Sequence, residues 1–355
     1  MKAKKLSALL LAVVMIFSLA ACGSKTPKTD PNATRIFTDS TGREVEVPAQ
    51  IDKVALSGPL AQIVLFALCP DKLVGVSNAW SSEAQEFLDE KYFNMPQIGQ
   101  LYGGKGELNL ETLLQSGAQV VIDVGESKGS IKEDMDSLQQ QTGIPFVHIS
   151  ADMQSYPQAY RMLGDLLGMK TEAEALATYC EKIYSRTKTI ASGVEKANVL
   201  YVTGDMGQNV IAKGSYHAEI LDMLTNNLAQ VDEPSSKGTG NEVSMEQILT
   251  WNPDVVIFAP ESIYATVKDD AAWQSVTAIK NGAYYEVPFG PYNWMGFPPS
   301  VQRYLGMVWL SKLLYPDATA DYDLFADVQE YYKLFYHCDI TRAQYDALVA
   351  NSIGK

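Results

Sequence analysis

The sequence predicts an α/β protein of two Rossmann-like lobes, with mainly parallel sheets, joined by one long rigid helix. Three observations predict this fold: a segment that occurs twice, a long amphipathic run between the two copies, and strand-like segments that alternate with helix-like segments on both sides of that run. The chain has 355 residues, of which 46% are hydrophobic, so it can form two domains with their own cores.

The repeated segment is the strongest of these observations. Residues 109–127 read NLETLLQSGAQVVIDVGES and residues 244–262 read SMEQILTWNPDVVIFAPES, and the two align without a gap. Each copy begins with a helix-capping residue, continues through a short helix to a β-branched apolar run typical of a buried strand, and ends in Glu-Ser. Copies this far apart exclude a solenoid repeat and indicate two similar lobes with a cleft between them.

The long run between the copies predicts the connecting helix over residues 169–193. Thr171 and Glu174 have the spacing of a capping box. Apolar and small residues then recur at helical spacing, namely Ala173, Leu176, Ala177, Cys180, Ile183, Tyr184, Thr187 and Ile190. The first lobe is therefore assigned to residues 34–168 and the second to residues 194–355, and a stiff connector predicts a modest closing motion of the cleft.

Strands and helices alternate on both sides of this connector. In the first lobe, residues 35–47 predict a hairpin, and strands are expected at 53–57, 73–77, 119–124 and 145–149. In the second lobe, the clearest strands are 197–203, 254–259 and 284–287, followed by helices near 299–315 and 324–337. This alternation predicts parallel sheets, whose ligands bind beyond the carboxyl ends of the strands.

The amino terminus predicts where the protein works. Residues 1–21 contain lysines followed by an apolar run that is shorter than the roughly 20 residues needed to span a bilayer. Leu19-Ala20-Ala21-Cys22 resembles a bacterial lipoprotein cleavage box, which implies lipid attachment at Cys22 and an extracytoplasmic protein anchored to the cell membrane. The alternative is an ordinary secretory signal with an incidental cysteine. Residues 22–33 are predicted to be a polar tether.

Composition narrows the function classes. The net charge of −14 argues against nucleic-acid binding. Cys69, Cys180 and Cys338 are dispersed, and the three histidines lack metal-site spacing, so no metal site and no cofactor are predicted. His148 ends the strand-like run PFVHI and is interpreted as a packed residue, with a ligand role left open for His217.

The order of these features resembles the substrate-binding proteins of ABC importers, in the branch that handles iron–siderophore, haem and cobalamin complexes. The resemblance rests on the lipoprotein box, the opening FTDSTGREVEVP, the KVALS strand, the two repeat units, the connecting helix and the segment GPYNW at 290–294, and it covers residues 35 to 350. It implies a protein, expected to be a monomer, that traps a ligand between its lobes and docks on a permease dimer served by an ATPase. It also implies that Glu111 and Glu246 are the docking residues, for which capping of the helix alone is the simpler alternative.

Candidate ligand-binding residues are those expected at the carboxyl ends of strands. Aromatic side chains could contact a planar or chelated ligand, and charged or polar ones could pair with an anion: Trp80, Tyr102, Lys105, Glu126, Ser127, Tyr264, Tyr292, Asn293, Trp294 and Arg303. The ligand expected first is a ferric siderophore, and haem, a corrinoid, or molybdate or tungstate are the alternatives.

Two other function classes stay open at this point. Residues 125–129 read GESKG and fit the G-x-S-x-G pattern of a serine hydrolase, with Ser127 as nucleophile and His217 or His337 as base. The repeat argues against this reading because the second copy keeps Glu-Ser without the flanking glycines, so no catalytic residue is predicted. A sensor that presents its bound ligand to a receptor domain would use the same cleft.

Overall fold

The structure is a computed structural model that describes residues 33–102 and 107–353. The predicted signal peptide, Cys22 and Lys105 lie outside the described residues. No helix in the described part of the chain is both long enough and apolar enough to span a membrane.

The first lobe contains a hairpin and a three-stranded parallel sheet. Strands β1 (Thr34–Thr38) and β2 (Glu44–Pro48) form the antiparallel hairpin, and β3 (Val54–Leu56), β4 (Val120–Gly125) and β5 (Phe146–Ser150) form the sheet in that order. Its helices are α1 (Pro59–Leu68), α2 (Ser82–Gln85), α3 (Leu110–Ser116), α4 (Ile131–Thr142) and α5 (Tyr156–Leu167). The strand predicted at 73–77 forms only isolated bridges, Val54 with Leu73 and Val76 with Gln97, because two different partners each pair with a single residue of it.

The connecting helix is α6 (Lys170–Gly193), whose 24 residues span about 36 Å at 1.5 Å per residue. Its buried face contains the predicted apolar positions, except that Tyr179 rather than Tyr184 is fully buried. The predicted capping box is wrong. The helix begins at Lys170 with no side-chain cap, so Thr171 is already inside the first turn, and the Glu174 carboxylate instead accepts hydrogen bonds from Arg161 at 2.7 and 2.8 Å.

The second lobe has a larger, mainly parallel sheet. Its strands are β6 (Asn198–Thr203), β7 (Asn209–Val210), β8 (Asn226–Asn227), β9 (Asn241–Glu242), β10 (Val255–Phe258) and β11 (Tyr284–Glu286). β11, β10, β6 and β8 pair in parallel, whereas β7 and β9 extend the sheet in antiparallel fashion. The helices are α7 (Glu219–Leu224), α8 (Met245–Trp251), α9 (Thr277–Lys280), α10 (Arg303–Leu314), α11 (Leu324–Phe335) and α12 (Arg342–Leu348).

One buried apolar cluster extends from the first lobe through the connecting helix into the second lobe. It contains Leu56 of β3, Ile183 of α6 and Leu310 of α10. The chain after α10 also contacts the first lobe, since the Phe87 and Tyr332 rings lie 5.2 Å apart and His337 Nε2 lies 3.2 Å from the Phe66 carbonyl oxygen. The predicted α/β fold of two lobes with parallel sheets and a long connecting helix is confirmed.

Candidate functional site

The two copies of the repeated segment fold alike. Helix α3 leads into β4, and helix α8 leads into β10. Asn109 caps the first helix by accepting a hydrogen bond from Thr112 N at 2.9 Å, and Ser244 caps the second by accepting one from Gln247 N at 3.2 Å. Because each helix returns antiparallel to the strand that follows, its first turn lies at the carboxyl-end edge of the sheet.

Glu111 and Glu246 lie in these first turns, and both are exposed. Glu111 Oε1 accepts a 3.2 Å hydrogen bond from Gln115 Nε2. Hydrogen bonds from its own backbone N–H and from the Ser244 hydroxyl lower the pKa of Glu246. The two carboxylates are therefore available to a partner protein, and their docking role stays a prediction.

A cleft of 420 Å³ lies between the lobes at the carboxyl ends of β4 and β5. The first lobe contributes the loops after these two strands, and the second contributes the turn that precedes α7. The lining residues are mostly small or polar: Gly125, Glu126, Ser127, Ser150, Ala151, Asp152, Ser155, Gly214, Ser215, Tyr216 and Glu219. The position is the one expected for ligands of parallel sheets.

Two tyrosines of the second lobe join the lobes at this cleft. The Tyr216 hydroxyl donates a hydrogen bond to the Ala151 carbonyl oxygen at 2.9 Å, and the Tyr304 hydroxyl donates one to the Met153 carbonyl oxygen at 2.7 Å. Both acceptors follow β5. Opening the cleft requires that these hydrogen bonds break.

Arg303, the first residue of α10, lies behind the cleft and is fully buried. Its Nη1 donates to the Tyr216 carbonyl oxygen at 2.9 Å and lies 2.5 Å from Glu219 Oε2, and its guanidinium carbon is 4.8 Å from the centre of the Tyr216 ring. Burial alone would lower the pKa of Arg303, but the Glu219 carboxylate and neighbouring phenols raise that pKa above its ordinary value. The arginine is therefore charged while buried.

Three donors in this region are buried without a hydrogen-bond partner among the described residues: Arg303 Nη2, the Tyr156 hydroxyl and the Ser215 hydroxyl. The acceptor Gln302 Oε1, on the residue before Arg303, is unpartnered as well. Sequence reasoning missed Tyr156, Ser215, Tyr216 and Glu219 because it searched the ends of the clearest strands. The polar and aromatic run SYHAE at 215–219, just after a strand, is the signal that could have identified most of them.

The first lobe also holds a polar network beneath the cleft. Ser127 Oγ lies 3.0 Å from His148 Nε2, and His148 Nδ1 lies 2.6 Å from Asp123 Oδ2. The Ser57 hydroxyl donates to Asp123 Oδ1, and Ser150 Oγ lies 2.6 Å from Ser127 Oγ. His148 is buried, as predicted for a packed residue, and its two ring nitrogens also lie within hydrogen-bond distance of Ser127 and Asp123.

The two histidines suggested as bases for Ser127 have other surroundings. His217 Nδ1 lies 3.2 Å from the Gly296 carbonyl oxygen, and burial lowers the pKa of His217. His337 contacts the backbone of α1. A pairing of Ser127 with His217 or His337 is therefore wrong, because the strand register places His148 beside it instead.

Several of the predicted ligand-binding residues pack inside the lobes. The indole N–H of Trp80 donates to the Tyr92 carbonyl oxygen at 3.0 Å, and that of Trp294 donates to the Gly290 carbonyl oxygen at 3.4 Å. Asn293 is buried and donates to the Tyr201 hydroxyl at 3.1 Å.

The remaining candidates are placed as follows. The Tyr292 hydroxyl accepts a hydrogen bond from Gln62 at 3.4 Å, Tyr102 donates to Asp134 at 2.5 Å, and Tyr264 donates to the Asn351 carbonyl oxygen at 3.4 Å. The structure brings Glu126 and Ser127 together in the cleft, with Arg303 behind it. Glu126 is also paired with Lys128 at 2.7 Å.

Comparisons with known proteins agree with this architecture. The chain is 24% identical over 348 residues to the molybdate-binding protein MolA of Haemophilus influenzae, covering 90% of this chain and 95% of that protein. An ABC transporter solute-binding protein from Sulfurospirillum deleyianum is 26% identical, with a TM-score of 0.81 over 89% of this chain and 99% of that one. A periplasmic solute-binding protein from Veillonella parvula is 25% identical, with a TM-score of 0.75 over 90% of this chain and 98% of that one.

The model of the periplasmic binding protein family matches residues 54–290, which include both copies of the repeat and the connecting helix. The chain therefore belongs to the periplasmic binding protein family, the extracytoplasmic substrate-binding proteins of ABC transporters.

Proposed function

We propose that this protein captures a small oxyanion of the molybdate or tungstate type in its inter-lobe cleft and delivers it to an ABC permease. The observation that carries the proposal is the group of three buried, unpartnered donors on Ser215, which lines the cleft, and on Arg303 and Tyr156, which are buried behind its lining. A buried donor without an acceptor costs about 1–3 kcal/mol. An oxyanion offers several acceptor oxygens and a negative charge, and it would offset this cost beside the buried guanidinium.

The size and lining of the cleft support a small polar ligand. Its volume of 420 Å³ lies near the lower end of the roughly 300–1,000 Å³ typical of ligand pockets. Serine hydroxyls line it together with three carboxylates, of which Glu126 pairs with Lys128 and Glu219 with Arg303, while Asp152 is the third. Trp80 and Trp294, which a planar chelate would need, pack inside the lobes. The geometry therefore favours an oxyanion over the ferric siderophore, haem or corrinoid considered from the sequence. The name of the molybdate-binding relative points the same way.

Isothermal titration of the purified protein with sodium molybdate and sodium tungstate tests the ligand class. We expect saturable binding of at least one of them and a loss of roughly 10–100-fold in affinity for Arg303→Gln, since hydrogen bonds to charged groups contribute about 1.5–3 kcal/mol.

Arg186→Gln is the matched control. Arg186 also pairs with a carboxylate, Asp327, at 2.6 Å and lies over a tyrosine ring, 4.3 Å from the centre of Tyr322, but it is on the connecting helix away from the cleft lining. We expect its affinity to equal that of the wild type. Binding of a ferric catecholate with no binding of either oxyanion would overturn the proposal.

Membrane anchoring and permease docking complete the proposed function. We infer that lipid on Cys22 holds the protein at the outer face of the cell membrane and that Glu111 and Glu246 contact the permease. Replacement of Cys22 by Ala should move the protein from the membrane fraction to the soluble extracytoplasmic fraction. Retention of the Cys22→Ala variant in washed membranes would contradict the anchor.

A further inference from the structure

We infer that Ser127, His148 and Asp123 form a catalytic triad that hydrolyses small carboxylic esters entering the cleft. Ser127 Oγ lies 3.0 Å from His148 Nε2, and His148 Nδ1 lies 2.6 Å from Asp123 Oδ2. These distances fall in the range in which a base activates a hydroxyl nucleophile and a carboxylate orients the base.

The surroundings fix the tautomer of the histidine. The Asp123 carboxylate is an acceptor, and its other oxygen already accepts a hydrogen bond from the Ser57 hydroxyl. Nδ1 of His148 therefore carries the proton, and Nε2 is left with a lone pair that faces two hydroxyls, Ser127 Oγ at 3.0 Å and Ser150 Oγ at 3.2 Å. His148 and Asp123 are buried, while Ser127 is exposed at the cleft, so a ligand reaches the nucleophile and the base lies behind it.

The fold places these groups by register and by a turn. Asp123 and His148 are paired residues on the neighbouring parallel strands β4 and β5, so their side chains lie on the same face of the sheet. Ser127 lies in the turn from β4 to α4, within Gly125-Glu126-Ser127-Lys128-Gly129, which is the strand–turn–helix context that the G-x-S-x-G pattern requires. Within the described part of the chain, the N–H groups of Lys128 and Gly129, the two residues that follow Ser127, donate to no backbone carbonyl.

The second lobe shows that the triad is not a by-product of the repeated architecture. The position that matches Ser127 is Ser262, whose hydroxyl donates to the Ala259 carbonyl oxygen at 2.6 Å within its own turn. The position that matches Asp123 is Phe258, a fully buried apolar residue. Burying an aspartate and a histidine costs free energy that an apolar pair does not, and only the first lobe carries that cost.

The reaction follows from the donors and acceptors at hand. Ser127 Oγ attacks the ester carbonyl carbon while its proton moves to His148 Nε2. The tetrahedral intermediate then collapses, and the alkoxide leaves as an alcohol with that proton. Water attacks the resulting acyl–serine ester, gives a proton to Nε2, and the acid is released as Ser127 takes the proton back. The net reaction consumes one ester and one water and yields one alcohol and one acid.

Two measurements on the purified protein test this proposal: turnover of p-nitrophenyl acetate, and covalent labelling by a fluorophosphonate probe followed by peptide mass spectrometry. We expect the label on Ser127 and a loss of turnover of roughly 100-fold or more in Ser127→Ala and in Asp123→Asn. Ser262→Ala, the matched position of the other lobe, should keep full turnover. Ser150→Ala should keep the label on Ser127.

Turnover in Ser127→Ala equal to that of the wild type, labelling of another residue, or no labelling and no turnover in the wild type would each overturn the triad. If the variant of the buried residue Asp123 does not fold, the variant of the exposed residue Ser127 is the deciding test. Titration of the same samples with molybdate separates this proposal from the proposed function, because esterase activity does not require oxyanion binding.

Discussion

The repeated segment of the first lobe, residues 109–127, and that of the second, residues 244–262, share a capping residue, a seven-residue helix, a buried strand and a Glu-Ser loop. Among the positions at which they differ is one buried position of the strand, where the first lobe has Asp123 and the second has Phe258. Asp123 holds His148 and, through it, Ser127, while Phe258 packs against Trp273 with ring centres 5.3 Å apart. The shared positions build the lobe, and the difference between Asp123 and Phe258 decides whether the strand offers a carboxylate or an aromatic ring to its neighbours.

A second difference concerns the hydrogen bonds across the cleft. Donors come from Tyr216 and Tyr304 of the second lobe, and the acceptors are backbone carbonyls of the first. The first lobe thus supplies backbone acceptors, and the second supplies the two tyrosine hydroxyls that meet them and the buried guanidinium of Arg303. Two lobes of similar topology are therefore not equivalent in recognition.

The largest effect is expected at Glu111 and Glu246, the matched residues that are both proposed to contact the permease. Reversing either surface charge, Glu111→Lys or Glu246→Lys, should lower ligand uptake by whole cells by about 100-fold or more, because a repelled contact replaces a paired one at the permease. Ligand affinity measured by titration should not change, since both residues are exposed on the outer helices. An equal loss of affinity and uptake would remove the docking role, and unequal uptake losses would show that the two contacts differ.

Replacing the buried residue that differs between β4 and β10 should destabilise the protein more in the second lobe than in the first. Phe258→Asp buries a carboxylate that has no matched histidine and removes a packed ring, so we expect the free energy of unfolding to fall by about 4 kcal/mol or more. Asp123→Asn keeps the shape and should cost about 1–3 kcal/mol. Urea unfolding of both variants measures the two losses in free energy of unfolding. Equal losses would mean that replacing Asp123 costs as much as burying an unpaired carboxylate at position 258.

The two capping residues should contribute similarly. Asn109→Ala and Ser244→Ala each remove one side-chain acceptor from a helix N-terminus, and each should cost about 1 kcal/mol. Thermal unfolding should therefore show a decrease in Tm of a few degrees for each variant. A decrease in Tm for only one of the two variants would show that the capping residues do not contribute equally to the stability of their lobes.

The smallest effect is a pH dependence at Glu246. The pKa of this carboxyl is lowered in the folded protein, so its contribution to stability is present above its unfolded pKa of about 4.3 and is lost as the pH falls through the folded value. The Tm of the wild type should exceed that of Glu246→Gln at neutral pH, and the two should converge near pH 3. A Tm difference that persists at pH 3 would assign the effect to the side-chain shape rather than to its charge.

The sequence predicted much of the fold and little of the cleft. The apolar face of α6 and the buried runs of β4 and β10 were readable because burial of a regular element imposes a period on neighbouring residues. Trp80 and Trp294 have the composition of a ligand platform, yet both indoles donate to backbone carbonyls inside the fold. An aromatic residue at the end of a strand has the same local pattern whether it packs inward or faces a cleft.

By itself, the sequence determined the fold class, the duplication of the lobe and the extent of the connecting helix, because each depends on local periodicity or on direct comparison of two segments. Only the tertiary structure decided which polar groups meet. His148 lies beside Asp123 through strand register, and Arg303 lies beside Glu219 through packing between α10 and α7. Such pairs form between residues that are far apart in the chain. Strand register and helix packing bring them together, and the residues next to each of them in the sequence do not show this.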